Sequence, residues 1–132
     1  MTDSNKTIFS IAFSMAFGFL AIPAQAIDIN GDYKSDDDLL TLRIIALDAK
    51  EGNTINAAAQ ITTSNGNGCA GDVSGVGKVV GNVLKFNSYT TFASKCTLTI
   101  KFNKDGSVGN ISEKSCLDWH GAQCGFDGRV SK

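Results

Sequence analysis

Apolar and polar positions alternate along residues 27–132 in short runs broken by Gly, Asn and Asp, with no stripe of helical period. Successive strand side chains point to opposite faces, so this pattern predicts an all-β chain. Asp28 to Ser35 reads as a first strand around Tyr33, ended by the acidic turn Ser35-Asp36-Asp37-Asp38. Leu39 to Leu47 follows, with Leu40, Leu42, Ile44 and Ala46 on one face. Residues 48–53 turn the chain, and Thr54 to Thr63 returns with Ile55, Ala57, Ala59 and Ile61 in phase. Ser64 to Gly68 is a loop whose glycines suit a reversal.

In the second half, Cys69, Gly71, Val73, Gly75, Gly77 and Val79 fall on one side of a glycine-rich strand. Glycine inside a strand weakens it and marks close backbone approach or a barrel corner, so the sheet is expected to curl there. Gly81-Asn82 signals a two-residue hairpin leading into Val83 to Tyr89, with Leu84 and Phe86 inward. Residues 89–95 connect to a strand in which Cys96, Leu98, Ile100 and Phe102 face in. Asn103 to Gly106 is a turn, Ser107 to Lys114 a weaker strand, and Gln123 to Ser131 the last, with Cys124, Phe126, Gly128 and Val130 in phase.

About eight strands with mostly short connections favour antiparallel neighbours. The expected architecture is an up-and-down meander closing into a small barrel or flattened sandwich. Alternating strand direction then puts Cys69, Cys96, Cys116 and Cys124 at one end of the sheet. Cys116 and Cys124 would face each other at the neck of the last hairpin, leaving Cys69 for Cys96. That second pair spans an intervening strand, ~10 Å in a flat sheet, and so requires curvature.

The N-terminus changes how composition is read. Lys6 precedes an apolar run from Ile8 to Ile22 and then Pro23-Ala24-Gln25-Ala26, the pattern of a secretory signal peptide cut after Ala26. The apolar run is shorter than the ~20 residues needed to span a bilayer. Residues 27–132 then form a single β domain lacking Met and Pro, with a modest core that cross-links would reinforce. An even cysteine count without CxxC spacing, in an exported chain, implies two disulfides rather than a metal site. A formal net charge of −1 with no Lys/Arg cluster argues against nucleic acid, and no amphipathic helix suggests membrane insertion after signal cleavage. The expected location is periplasmic or secreted.

No catalytic set is legible. Asp28-x-Asn30-x-Asp32 starts like a calcium loop, but Tyr33 and Leu39 stand where Gly and Glu are needed. His120 lacks a nucleophile elbow or a marked orienting acid. Glu51 and Glu113 are expected in turn or outward positions, which leaves Asp118 unpaired as a glycosidase carboxylate. No cofactor motif is present. The distinctive stretch is Leu117-Asp118-Trp119-His120-Gly121-Ala122-Gln123, bracketed by Cys116 and Cys124. Two readings stay open for it. Trp119 folds over the barrel end as a lid with His120 hydrogen-bonded nearby, or the loop is a pre-ordered protrusion in which Trp119, His120, Asp118 and Gln123 contact a partner.

Cys-x3-His-Gly-x2-Cys-Gly-Phe-x-Gly over residues 116–128, after Cys96-x-Leu-x-Ile and Cys69-x-Gly, resembles a pattern in small exported Gram-negative β proteins of unassigned function. The resemblance covers roughly the C-terminal half and carries over no catalytic residue. In size, compartment and disulfide-bonded β architecture the chain is also similar to periplasmic lysozyme inhibitors and cell-wall-hydrolase immunity proteins, whose specific motifs are not evident in it. The expected function is an exported, non-enzymatic binding protein, an inhibitor or immunity protein against a cell-envelope hydrolase. The alternatives are a periplasmic carrier of a small apolar ligand and a structural envelope protein. A hydrolase using His120 with Asp118 or Glu113 ranks last.

Overall fold

A computed structural model describes residues 27–47, 54–89 and 95–132. The signal-peptide reading of 1–26, the turn at 48–53 with Glu51, and most of the 89–95 connection lie outside the described residues. Among the described residues eight antiparallel strands close into a barrel, each pairing with its neighbour in sequence and the first with the last. They are β1 (Gly31–Lys34), β2 (Leu40–Ala46), β3 (Thr54–Ser64), β4 (Ala70–Val80), β5 (Val83–Asn87), β6 (Thr97–Phe102), β7 (Val108–Lys114) and β8 (Gly128–Ser131), with one 3-10 turn at Leu117–Trp119. The all-β meander expected from alternation is therefore the fold.

The inward phases also follow the sequence. Leu40, Leu42 and Ile44 on β2, Ala57, Ala59 and Ile61 on β3, and Leu98, Ile100 and Phe102 on β6 are buried. Tyr33, Phe86, Phe102 and Phe126 are the largest fully buried side chains and fill the interior together with these aliphatics. Close backbone approach occurs where the glycines predict it. A Cβ on Gly75 would lie 2.2 Å from the Asn87 carbonyl oxygen, and one on Gly77 would lie 2.2 Å from that of Lys85. The main chain of β5 thus folds directly onto β4, a contact that any side chain would block. At the far end of this hairpin Gly81 takes φ +61°, as the two-residue turn requires.

One end of the barrel is closed by the N-terminal approach. Ile29 is buried, and the Tyr33 hydroxyl lies 2.7 Å from the Gly106 carbonyl oxygen and 2.9 Å from that of Ile29. β1 starts later than alternation suggests, because residues 27–30 cross this end instead of pairing, with Asp28 turning the chain through a side-chain bond to the Asn30 amide.

The other end holds all four cysteines, as strand direction demands, but not in the expected pairs. Cys69 is joined to Cys124 and Cys96 to Cys116. The correction follows from the last strand, which begins at Gly128 and not at Gln123. Residues 115–127 therefore form no hairpin neck between Cys116 and Cys124. Cys116 instead follows directly on β7, beside Cys96 at the start of β6, with the two Cα atoms 4.4 Å apart. Cys124 is carried across the barrel end to the start of β4, where its Cα lies 5.9 Å from that of Cys69. Glu113 is a second correction: it shares the inward side of β7 with buried Gly109 and Ile111 and does not point outward.

Candidate functional site

The crossing segment 115–127 is built outward from β7. Ser115 takes φ +62°, which turns the chain off the strand line and directs Cys116 inward. The 3-10 turn Leu117–Trp119 follows, closed by the Trp119 amide donating to the Cys116 carbonyl at 2.8 Å. The segment then presses onto β4 at a glycine. A Cβ on Gly71 would lie 2.5 Å from the His120 Cβ and 2.7 Å from the Trp119 carbonyl oxygen. Gly121 makes a similar concession, since a Cβ there would lie 2.8 Å from the Cys69 sulfur.

His120 is the hub. Its Nε2 lies 2.8 Å from Glu113 Oε1 and its Nδ1 2.7 Å from the Gly121 carbonyl oxygen. Both oxygens only accept, so both contacts are made together only by the doubly protonated, cationic ring. Burial opposes that charge most strongly, but the Gly121 carbonyl, the Glu113 carboxylate and Asp127 outweigh it and raise the His120 pKa above its ordinary value. The other Glu113 oxygen accepts from the Phe126 amide at 2.7 Å, and Asp127 Oδ1 accepts from the Glu113 amide at 2.9 Å. The Phe126 and His120 rings meet edge to face at a centroid distance of 5.0 Å. The His120 side chain is only 6% exposed. These contacts tie β7, the crossing segment and the approach to β8 into one unit.

The four loop residues singled out in the sequence are thus divided by the fold. Trp119 is half-buried and packs against the core, and His120 is engaged with Glu113. Asp118 and Gln123 are exposed, as is Leu117 at 64%. Sequence reasoning set Glu113 beside His120 only in its last-ranked hydrolase reading and placed it outward, so it missed the contact that the fold makes. The signal was available in the phase shared with Ile111, but Gly109 hides it by giving that face of β7 little hydrophobic weight. It also missed the cleft of about 420 Å³ beside the crossing segment, whose walls include Ser35, Asp36, Asn65, Gln123, Asp127 and Arg129.

Chemically, this end offers acceptors and amides around an open cleft, and a histidine whose nitrogens are both used in holding the loop. Among the described residues no cluster of three or more His, Cys, Asp or Glu side chains has metal-binding geometry, and no helix is long and apolar enough to cross a membrane. The two disulfides are compatible with an extracytoplasmic protein. No family model, curated protein or solved structure matches the chain.

Proposed function

We propose that this protein is an exported, non-enzymatic binding protein whose stapled barrel end recognises a secreted or cell-envelope protein, acting as an inhibitor or immunity protein against an envelope hydrolase. The observation that carries the reading is the crossing segment 115–127. Two disulfides and the His120–Glu113 pair hold it in place, while Leu117, Asp118 and Gln123 stay exposed beside the open cleft. A surface fixed before binding loses little conformational freedom on association, which favours recognition. His120 commits both ring nitrogens to the loop, so it is not poised as a free base, and this supports a non-enzymatic role. The interior is occupied by Tyr33, Phe86, Phe102 and Phe126, which favours surface recognition over carriage of an apolar ligand within the barrel.

The test is capture from periplasmic and secreted fractions on the immobilised, oxidised protein, with captured hydrolases assayed on cell-wall substrate. A partner should be retained by the parent and lost with the double substitution Leu117→Glu, Gln123→Arg, which alters only exposed side chains. Failure to capture any partner, or capture unchanged by that variant, would refute the reading.

A further inference from the structure

The seam that closes the barrel pairs β1 with β8 only through Lys34 and Ser131. The other side of β8 pairs with β7 over Val108 to Ile111. The Lys132 amide donates to the Ser107 carbonyl. Main-chain groups of successive residues in an antiparallel strand face alternate sides, so Val130 and Gly128 also face β7, while Ser131 and Arg129 turn theirs to the seam. On β1 the Ser35 amide donates to Leu40 of β2, which by the same alternation turns Lys34 to the seam, where it meets Ser131.

Continuing that register, the residue opposite Arg129 would be Asp36. The chain has already left the strand line, in a turn closed by the Asp38 amide on the Ser35 carbonyl, with Asp38 at φ +56°. Among the described residues no main-chain bond reaches Arg129 from the seam side. Leu40 seals the core beneath the gap, since a Cβ on Gly128 would lie 3.0 Å from its Cδ2. The space outside is the cleft of about 420 Å³ already described. Its walls carry three carboxylates, Asp36, Asp37 and Asp127, against the single cation of Arg129. Asp37 is committed to its own turn through Ser35 and the Leu39 amide, and one oxygen of Asp127 to Glu113, which leaves Asp36 as the carboxylate most open to a ligand.

We propose that the cleft takes an extended polypeptide segment of the partner, added as a short strand on the Arg129 edge of β8, with a Lys or Arg side chain of that segment set against Asp36 and Asp127. A strand edge with unpaired main-chain groups is a template for such addition, and the acidic walls supply the charge preference. The inference rests on the proposed binding role and names the form of the partner.

The test uses the full chain, expressed with export and recovered oxidised. It is panned against a displayed library of random linear peptides, and the enriched sequences are synthesised. Enrichment should favour alternating β-forming residues with a Lys or Arg. In 15N-labelled protein the Arg129 amide should shift most and exchange more slowly with solvent when peptide is bound. Asp36→Lys should weaken binding by about tenfold or more at an unchanged melting temperature, and N-methylation of the central peptide amide should do the same. The proposal is overturned if no peptide is enriched, if Arg129 is unmoved, or if Asp36→Lys binds as tightly as the parent. Concentration-dependent shifts at Arg129 without peptide would also overturn it, by making the edge a self-pairing contact. Capture of a folded partner that is lost with Leu117→Glu, Gln123→Arg while peptides fail would remove only the strand-addition proposal. Failure of both would remove the binding role as well.

Discussion

His120 and Glu113 form a 2.8 Å ion pair between the crossing segment and the end of β7, with the histidine side chain almost wholly enclosed. Its consequence is a pH dependence whose sign is fixed. The His120 pKa is raised in the folded state, so the stability it contributes is fully present below the unfolded value of about 6.5 and is lost as pH rises through the folded value. Asp32, Asp37 and Asp105 have lowered values, held chiefly by Arg43, Ser35 and Ser107, and act in the opposite direction: their contribution disappears in acid. Glu113→Gln should cost about 1.5–3 kcal/mol where His120 is charged, because a neutral acceptor replaces a charged one. Urea unfolding at about pH 5.5 and about pH 9 checks this, since the gap between variant and parent should narrow at the higher pH. Equal gaps would show that the ion pair adds nothing.

The glycines of β4 give a sharper prediction. Gly77→Ala would place a methyl group 2.2 Å from the Lys85 carbonyl oxygen and 2.5 Å from the Phe86 Cβ, both on the strand that β4 must hold. It should destabilise by about 1–3 kcal/mol or more, as overpacking does in cores that cannot give way. Gly66→Ala, with no atom within 4 Å but φ +70°, should cost about 1 kcal/mol from backbone strain alone. Thermal melts of the two variants compare them directly. Equal losses would mean that β5 moves aside freely.

These cases separate what alternation can and cannot reveal. Val73, Leu84 and Leu98 announce their inward faces because period two is imposed by the strand itself, and Gly75 and Gly77 announce the close approach of β5 because only glycine tolerates it. The direction of successive strands was enough to gather the four cysteines at one end. Their pairing was not legible, because it depends on a long connection: Cys124 and Phe126 keep a strand-like phase with Gly128 and Val130, yet only the last two lie in β8. For residues 117–123 the sequence left both a lid and a protruding tip open, and the longer crossing favours the lid, laying Trp119 and His120 against Gly71 and Glu113.

At the opposite end, the Tyr33 hydroxyl is the polar group on which closure turns. It lies within bonding distance of the Gly106 and Ile29 carbonyls, and burial, with a smaller effect from Asp28, pushes its pKa up to about 12. Because the folded value lies above the ordinary value of about 10, the stability this group contributes is present below that pH and is lost as pH rises between the two. Tyr33→Phe should cost about 1–3 kcal/mol by leaving buried carbonyls without their donor. It should also remove the late step from an absorbance titration of the tyrosines. A titration unchanged by the substitution would contradict the burial of this hydroxyl.

Finally, the two cross-links should differ in worth. Cys69–Cys124 closes a separation of 55 residues and Cys96–Cys116 one of 20, so the chain-entropy relation gives about 4.2 and about 3.3 kcal/mol respectively. The paired substitution Cys69→Ala, Cys124→Ala should therefore destabilise more than Cys96→Ala, Cys116→Ala. It should also free the crossing segment, so that solvent exchange of the Phe126 amide accelerates while β6 and β7 stay protected. Cleavage of the unreduced protein after its lysines and after Trp119 separates Cys116 from Cys124 and makes the pairing readable by mass. The fragment containing Cys116 should carry that of Cys96, and the fragment containing Cys124 that of Cys69. A fragment linking Cys116 to Cys124 would place the crossing segment in a separate small loop and remove the clamp on which the proposed binding role depends.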